Sequence, residues 1–144
     1  MGHIFHSVHG LLVASLMLAV SFLFVFSCVY VRLDHFLKMK VKKPAWMYIF
    51  PSLEKMHRHI VYLLYLVFFL LTILVINGFS LAHHAWDSNW IMEPKVIASV
   101  STWVYFFSML VVRLWKGLRG VHFFIWLIIG CLFLSLSMYG AYAW

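Results

Sequence analysis

Charged side chains are scarce in this sequence, and acidic ones most of all. Aspartate and glutamate number 4 among 144 residues, and charged residues of both signs make up 10% of the chain. Soluble globular domains carry about 25% charged residues, so this composition argues against an ordinary soluble domain. Apolar residues reach 65% and gather in long runs. Such runs are typical of an integral membrane protein.

Reactive patterns are also few. The two cysteines, Cys28 and Cys131, lie inside apolar runs and form no C-x-x-C pair, which argues against thiol–disulfide exchange and favours small core residues. No carboxylate pair or nucleophile–base spacing indicates hydrolysis, so we do not expect the chain to be an enzyme on its own. The 11 basic residues do not predict nucleic-acid binding, because no soluble module carries them.

Four apolar segments cover about residues 10–31, 59–81, 96–114 and 122–144. Each has close to the roughly 20 residues that a helix needs to cross about 30 Å of hydrocarbon. Backbone amides in lipid must be satisfied within the segment, which favours helices. We therefore predict an all-α integral membrane protein, a four-helix bundle that forms a single domain over residues 1–144.

Basic residues concentrate in two of the three loops. The first loop and its borders hold Arg32, Lys38, Lys40, Lys42, Lys43, Lys55 and Arg58, and the third holds Arg113, Lys116 and Arg119. The positive-inside rule then places both loops in the cytoplasm and both termini on the outer, periplasmic side. We expect the protein to lie in a bacterial inner membrane or in the inner membrane of an organelle. Within the first loop, residues 44–58 are predicted to lie at the lipid interface.

The longest interruption in the second half of the sequence runs from Trp86 to Lys95. Tryptophan is common at the membrane–water boundary, which accounts for Trp86 and Trp90 taken singly. It does not account for the rigid Glu93-Pro94-Lys95 run that follows at once, in which the proline suits the first turn of the next helix.

Nine histidines are many for a membrane protein of this size. An imidazole within a membrane is costly to bury without a partner, so intramembrane histidines are candidates for function. The predicted topology places His3, His6, His9, His83 and His84 on the outer side, and His35, His57, His59 and His122 on the cytoplasmic side. The alternative for each is a histidine that reaches the headgroup region and bonds to water or phosphate.

The tryptophan-containing loop resembles that of the cytochrome c assembly family, the CcsA/HemX-type haem-handling membrane proteins. The family pattern W-G-x-Y-W-x-W-D-P-K is followed by T-W and then by W-R-G or L-R-G. The matching residues are Trp86, Trp90, Glu93, Pro94, Lys95, Thr102, Trp103, Leu118, Arg119 and Gly120. The resemblance covers about residues 53–143, which correspond to the C-terminal half of the family, and extends more weakly to the first segment.

The resemblance implies a module that holds haem b at the outer face, beneath the loop. His9 opens the first helix where the family has a histidine, and His83 and His84 end the second helix just before Trp86. Two neutral imidazoles suit the axial positions of haem iron, and the rings of Trp86 and Trp90 suit its porphyrin. We expect His9 and His84 to be the iron ligands.

Five further residues are candidates for cofactor binding. Trp103 matches the family's T-W and is expected to line the haem side, with ordinary helix packing as the alternative. Arg119 and His122, together with His57 and His59, are candidates for an inner site that binds a second haem or a quinone headgroup, in which the arginine would pair with propionates. The alternative for the inner histidines is a simple interfacial location.

Full-length members of the family have additional membrane segments. The resemblance therefore implies that this chain works in the lipid bilayer with a partner membrane protein or a larger complex, and that it meets apocytochrome c. The alternative function is a non-catalytic accessory subunit of a respiratory or haem-lyase complex. A bis-histidine haem spectrum would favour the first function, and a colourless chain bound to other subunits would favour the second.

Overall fold

The computed structural model describes residues 2–40, 42, 44–85, 89–117 and 120–142. Over these ranges the chain is helical and contains no strand, which confirms the predicted fold class. The four long helices are α1 (Gly2–Lys38), α2 (Leu53–Ala85), α3 (Pro94–Lys116) and α4 (Val121–Tyr142). Two short 3₁₀ helices, Ala45–Ile49 and Trp90–Met92, lie in the loops. All four long helices are long and apolar enough to cross a membrane.

The first two helices are longer than the apolar segments that predicted them. At about 1.5 Å per residue, the 37 residues of α1 and the 33 residues of α2 extend roughly 55 and 50 Å, beyond about 30 Å of hydrocarbon. Ion pairs one turn apart support the polar ends: Lys38 Nζ lies 2.8 Å from Asp34, and Arg58 Nη2 lies 3.0 Å from Glu54. The helical backbone therefore continues where the apolar run stops.

Neighbouring helices run antiparallel. The first helix packs on the second and the third on the fourth, and contacts between α2 and α3 and between α1 and α4 complete the bundle. The centre is apolar, because all four helices contribute fully buried side chains. They include Leu16, Leu23, Leu64, Val67, Phe106, Met109 and Leu127. Many large apolar side chains face outwards, as lipid contact requires.

Hydrogen bonds between helices fix how the bundle packs. The Trp103 indole Nε1–H donates to Thr72 Oγ1 at 2.9 Å and joins α3 to α2. The Tyr105 hydroxyl donates to the Trp126 carbonyl oxygen at 2.7 Å and joins α3 to α4. In a membrane, the hydrophobic effect does not drive apolar helix surfaces together, because lipid is itself apolar. Polar contacts of this kind therefore help to hold the helices together.

The predicted interfacial segment, residues 44–58, packs on the bundle through a few apolar side chains. Met47 in the first 3₁₀ helix is buried against Leu33 and Met56. Its neighbours Tyr48 and Ile49 are 71% and 83% exposed. These exposed apolar side chains suit contact with lipid headgroups, and that location stays a prediction.

The two ends of the bundle differ in their polar side chains. We use "His9 end" for the end formed by the starts of α1 and α3 and by the ends of α2 and α4. The opposite end is the "Arg113 end". Residues from the start of α1 and from the end of α4 line the same cavity, which places both at this end of the bundle. Which side of the membrane each end faces stays a prediction from the loop charges.

Candidate functional site

A cavity of about 460 Å³ opens between the four helices at the His9 end. Its volume lies within the range of about 300–1,000 Å³ that is typical of small-molecule sites. Apolar side chains of all four helices form much of the wall, among them Val13, Leu74, Val96 and Leu134. The cavity is thus suited to a largely apolar molecule.

Polar groups enter this cavity from three of the helices. The first helix contributes His6 and His9, which share a face because they lie three residues apart. The third helix contributes Lys95, Ser99 and Thr102 on one face. On α4, the hydroxyl oxygen of Ser137 lies 3.4 Å from that of Ser99. A few convergent polar groups in an apolar cavity are typical of a site that fixes the orientation of its ligand.

His9 is half-buried and lies beside Asn77 of α2. The buried atoms His9 Nδ1 and Asn77 Oδ1 form no well-aligned hydrogen bond to any described residue. Buried polar atoms without partners are rare in native structures. A histidine that binds a metal usually donates its second ring N–H to an oxygen. A slight reorientation of the His9 ring towards Asn77 would satisfy both atoms and leave Nε2 for a ligand.

Two glycines leave open space in the cavity wall. Gly10 on α1 and Gly78 on α2 both line the cavity, and a Cβ added at either would meet no atom within 4 Å. The protein's own packing therefore does not require a glycine at these positions. The cavity wall beside His9 therefore has open space that a bound ligand could occupy.

The other predicted outer histidines lie beyond the cavity. His83 and His84 end α2, are exposed, and do not line the cavity. The His83 ring lies 6.2 Å from that of Trp90, which in turn lies 5.7 Å from Phe79, a cavity residue. The structure thus brings Trp90 to the rim of the site through Phe79. The remaining loop tryptophan, Trp86, lies outside the described residues.

His84 lies seven residues after Asn77 on the same face of α2, about 10 Å further along the helix. This is the face that meets α1 beside His9. Among the described residues, no group of three or more histidine, cysteine or acidic side chains is placed to hold a metal ion. The available donors are single or paired imidazoles, which suit haem iron better than a structural zinc ion.

Trp103 lies between α2 and α3 rather than in the cavity wall. Its ring stacks on Phe107 at a centroid distance of 5.5 Å and also contacts Phe68. Its N–H is occupied by Thr72. The neighbouring residue Thr102 lines the cavity instead. The contacts of Trp103 are therefore those of helix packing.

The predicted inner-site residues are not near His9. His122 is exposed at the start of α4, at the Arg113 end, and Arg119 lies outside the described residues. The cavity residue Leu134 lies 12 residues further along α4, about 18 Å away. Any role of His122 therefore belongs to a different site.

Sequence reasoning named His57 as an inner-site candidate at the Arg113 end but missed the side chain that it contacts, Arg113. Arg113 is only 8% exposed, lies 4.7 Å from the centroid of the Phe123 ring, and has Nη2 3.2 Å from His57 Nε2. From the sequence, this arginine was expected to be a charge of the third loop. The available signal was its helical spacing, because Phe106, Met109 and Arg113 recur on the buried face of α3. Asn77, an amide within an apolar helix, was missed in the same way.

Comparison with known proteins gives one family. A family model described as "Cytochrome C assembly protein" matches residues 2–144. The cytochrome c biogenesis protein CcsA of Heterosigma akashiwo is 44% identical over 50 residues, which is 35% of this chain and 16% of that protein. The CcsA of Welwitschia mirabilis is 37% identical over 59 residues, which is 41% of this chain and 19% of that protein.

The aligned stretches thus span less than a fifth of these curated relatives. No solved structure matches the chain. The four helices that are long and apolar enough to span and these relatives identify an integral inner-membrane protein, as predicted from the sequence.

Proposed function

Because the chain belongs to the cytochrome c assembly family, we propose that it holds haem b within the membrane during cytochrome c assembly, in the cavity at the His9 end. The observation that carries the proposal is the cavity itself, which combines about 460 Å³ of largely apolar space with the half-buried imidazole of His9. Haem here is the cargo, and its covalent attachment to a C-x-x-C-H segment of an apocytochrome is what the assembly pathway accomplishes.

His9 is the first proposed iron ligand. In the proposed site the ring turns slightly so that its Nδ1–H donates to Asn77 Oδ1, which would fix the tautomer and leave Nε2 for the iron. The asparagine is neutral, so it orients the ring without adding a charge to the apolar site. An imidazole held in this way stays neutral and keeps Nε2 free to bind iron in a site from which the membrane excludes water.

His84 is the proposed second ligand. It shares the α1-facing side of α2 with Asn77, whereas His83 packs against Trp90. Because the His84 ring is exposed, it can turn towards the cavity from the end of its helix. Trp90, and with it Trp86, is proposed to cover the porphyrin on that side and to limit access of water.

The open surfaces at Gly10 and Gly78 receive the porphyrin plane, and the apolar walls bury its hydrophobic edge. We propose that the His9 end faces the outer side of the membrane, where apocytochrome c would be met, because the loop charges favour this orientation. We propose that the chain works with a partner membrane protein.

The proposed location of haem is tested by a variant that fills the cavity with a side chain. The Gly78→Phe variant places a ring in the open space, and we expect haem copurification to fall at least several-fold because ring and porphyrin compete for one volume. Ile76→Phe is the matched control, because Ile76 is 61% exposed on the same helix and a ring there faces lipid. Haem content is measured by the Soret absorbance per protein.

Equal haem content in the two variants would contradict the location. A wild-type chain that stays colourless after haem is supplied, and that copurifies with other membrane subunits, would instead favour the accessory-subunit function.

A further inference from the structure

Lys95 is the only lysine, arginine or acidic residue among the described residues that line the cavity. It is half-buried in the first turn of α3, directly after Pro94. In the ring of four helices α3 lies diagonally across from α1, so Lys95 enters the cavity from the wall opposite His9. One wall of the cavity therefore offers imidazole, and the other offers a positive charge.

Lys95 forms no ion pair in the described part of the chain. The two ion pairs found there, Lys38–Asp34 and Arg58–Glu54, belong to other helices and to the Arg113 end. A lysine in the first turn also lies at the end of the helix whose dipole disfavours positive charge. An anionic group in the cavity would be attracted to Lys95 and would offset both unfavourable features.

We propose that Lys95 binds a carboxylate of the cavity ligand and thereby sets its orientation. The inference rests on the proposed function, in which the ligand is haem and the carboxylates are its two propionates. The propionate edge then faces α3 and the polar mouth of the cavity. The apolar edge faces Leu71, Leu74 and Leu134. An ammonium group acts as a point charge towards carboxylate, so the contact needs proximity but no bidentate geometry.

A lipid phosphate is a second source of negative charge near a membrane boundary. A lysine that only reaches lipid phosphate would contribute nothing to selection between porphyrins. The distinguishing property is therefore dependence on the ligand's own carboxylates.

The test compares two porphyrins that differ in those groups alone. Wild type and Lys95→Met are reconstituted in nanodiscs of zwitterionic lipid and titrated with iron protoporphyrin IX and with its dimethyl ester, each followed at the Soret band. We expect Lys95→Met to weaken binding of the free acid by about three- to tenfold, as for a partly screened charge pair. Binding of the dimethyl ester should stay unchanged. Lys95→Arg should retain most of the preference for the free acid.

Lys116→Met, at the far end of the same helix, is the control for the loss of one charge. Equal effects of Lys95→Met on both porphyrins, or no effect on either, would overturn the assignment of Lys95 while leaving haem in the cavity. Failure of wild type to bind either porphyrin would instead overturn the proposed function, and the inference with it.

Discussion

Among the glycines that the structure describes, Gly130 of α4 has the least space around it, because it lies against α3. A Cβ added there would lie 3.1 Å from Tyr105 Cε1 and 3.2 Å from Phe106 Cζ. Neither ring is free to withdraw. Tyr105 stacks against Trp126 and Phe133, and its hydroxyl bonds to the Trp126 carbonyl. Phe106 is fully buried. The Gly130→Ala variant should therefore be overpacked, at a cost of about 1–3 kcal/mol.

Helix propensity opposes this cost, because alanine is favoured over glycine by about 1 kcal/mol in a helix interior. Gly78→Ala isolates that term, since its Cβ meets no atom within 4 Å. The difference between the unfolding free energies of the two variants cancels propensity and should equal the overpacking cost of about 1–3 kcal/mol. Reversible SDS titration followed by circular dichroism measures both. Equal unfolding free energies would refute the close approach of α3 and α4 at this point.

Thr72→Val removes the acceptor of the Trp103 indole N–H and should lower the unfolding free energy by about 0.6–1.7 kcal/mol in the same titration, whereas Thr72→Ser should not. An unchanged unfolding free energy in the valine variant would contradict a stabilising role for this hydrogen bond. Replacing Trp86 and Trp90 by alanine should reduce haem content without changing membrane insertion, which the flanking helices drive. Unchanged haem content would reduce both rings to interfacial anchors. A reporter fused after Lys42 should read cytoplasmic, and an external reading would reverse the proposed orientation.

The helices were predictable because their cause is local. A run of about 20 apolar residues in lipid has helix as its stable structure, and the described part of each of the four predicted segments lies in one of the four long helices. The ends of α1 and α2 were not predictable from hydrophobicity, because polar residues continue them. Two ion pairs lie at these ends, Lys38–Asp34 and Arg58–Glu54. Each joins residues four positions apart, so it forms only once the helix exists and is not indicated by the apolar run.

The candidate site was predictable only in part. The resemblance drew attention to His9, and the structure places its imidazole in a cavity. The cavity itself depends on how four helices pack, which one sequence does not encode locally. Trp103 illustrates the limit: its motif predicted a haem-lining residue as one alternative, but its partner Thr72 comes from another helix. The neighbour of His9, Asn77, lies 68 positions away in the sequence and became visible only through the contact between α1 and α2.

The axial ligand at His9 tests the haem-holding role most directly. We expect His9→Ala to remove one nitrogen ligand from the iron, so that the reduced-minus-oxidised spectrum of the haem-loaded protein loses its sharp bis-histidine form. Added imidazole should partly restore that form, because the emptied space admits a small ligand. His35→Ala, an exposed histidine at the Arg113 end, should leave the spectrum unchanged. Full haem content with an unaltered bis-histidine spectrum in His9→Ala would contradict the assignment of His9 as an iron ligand in this cavity.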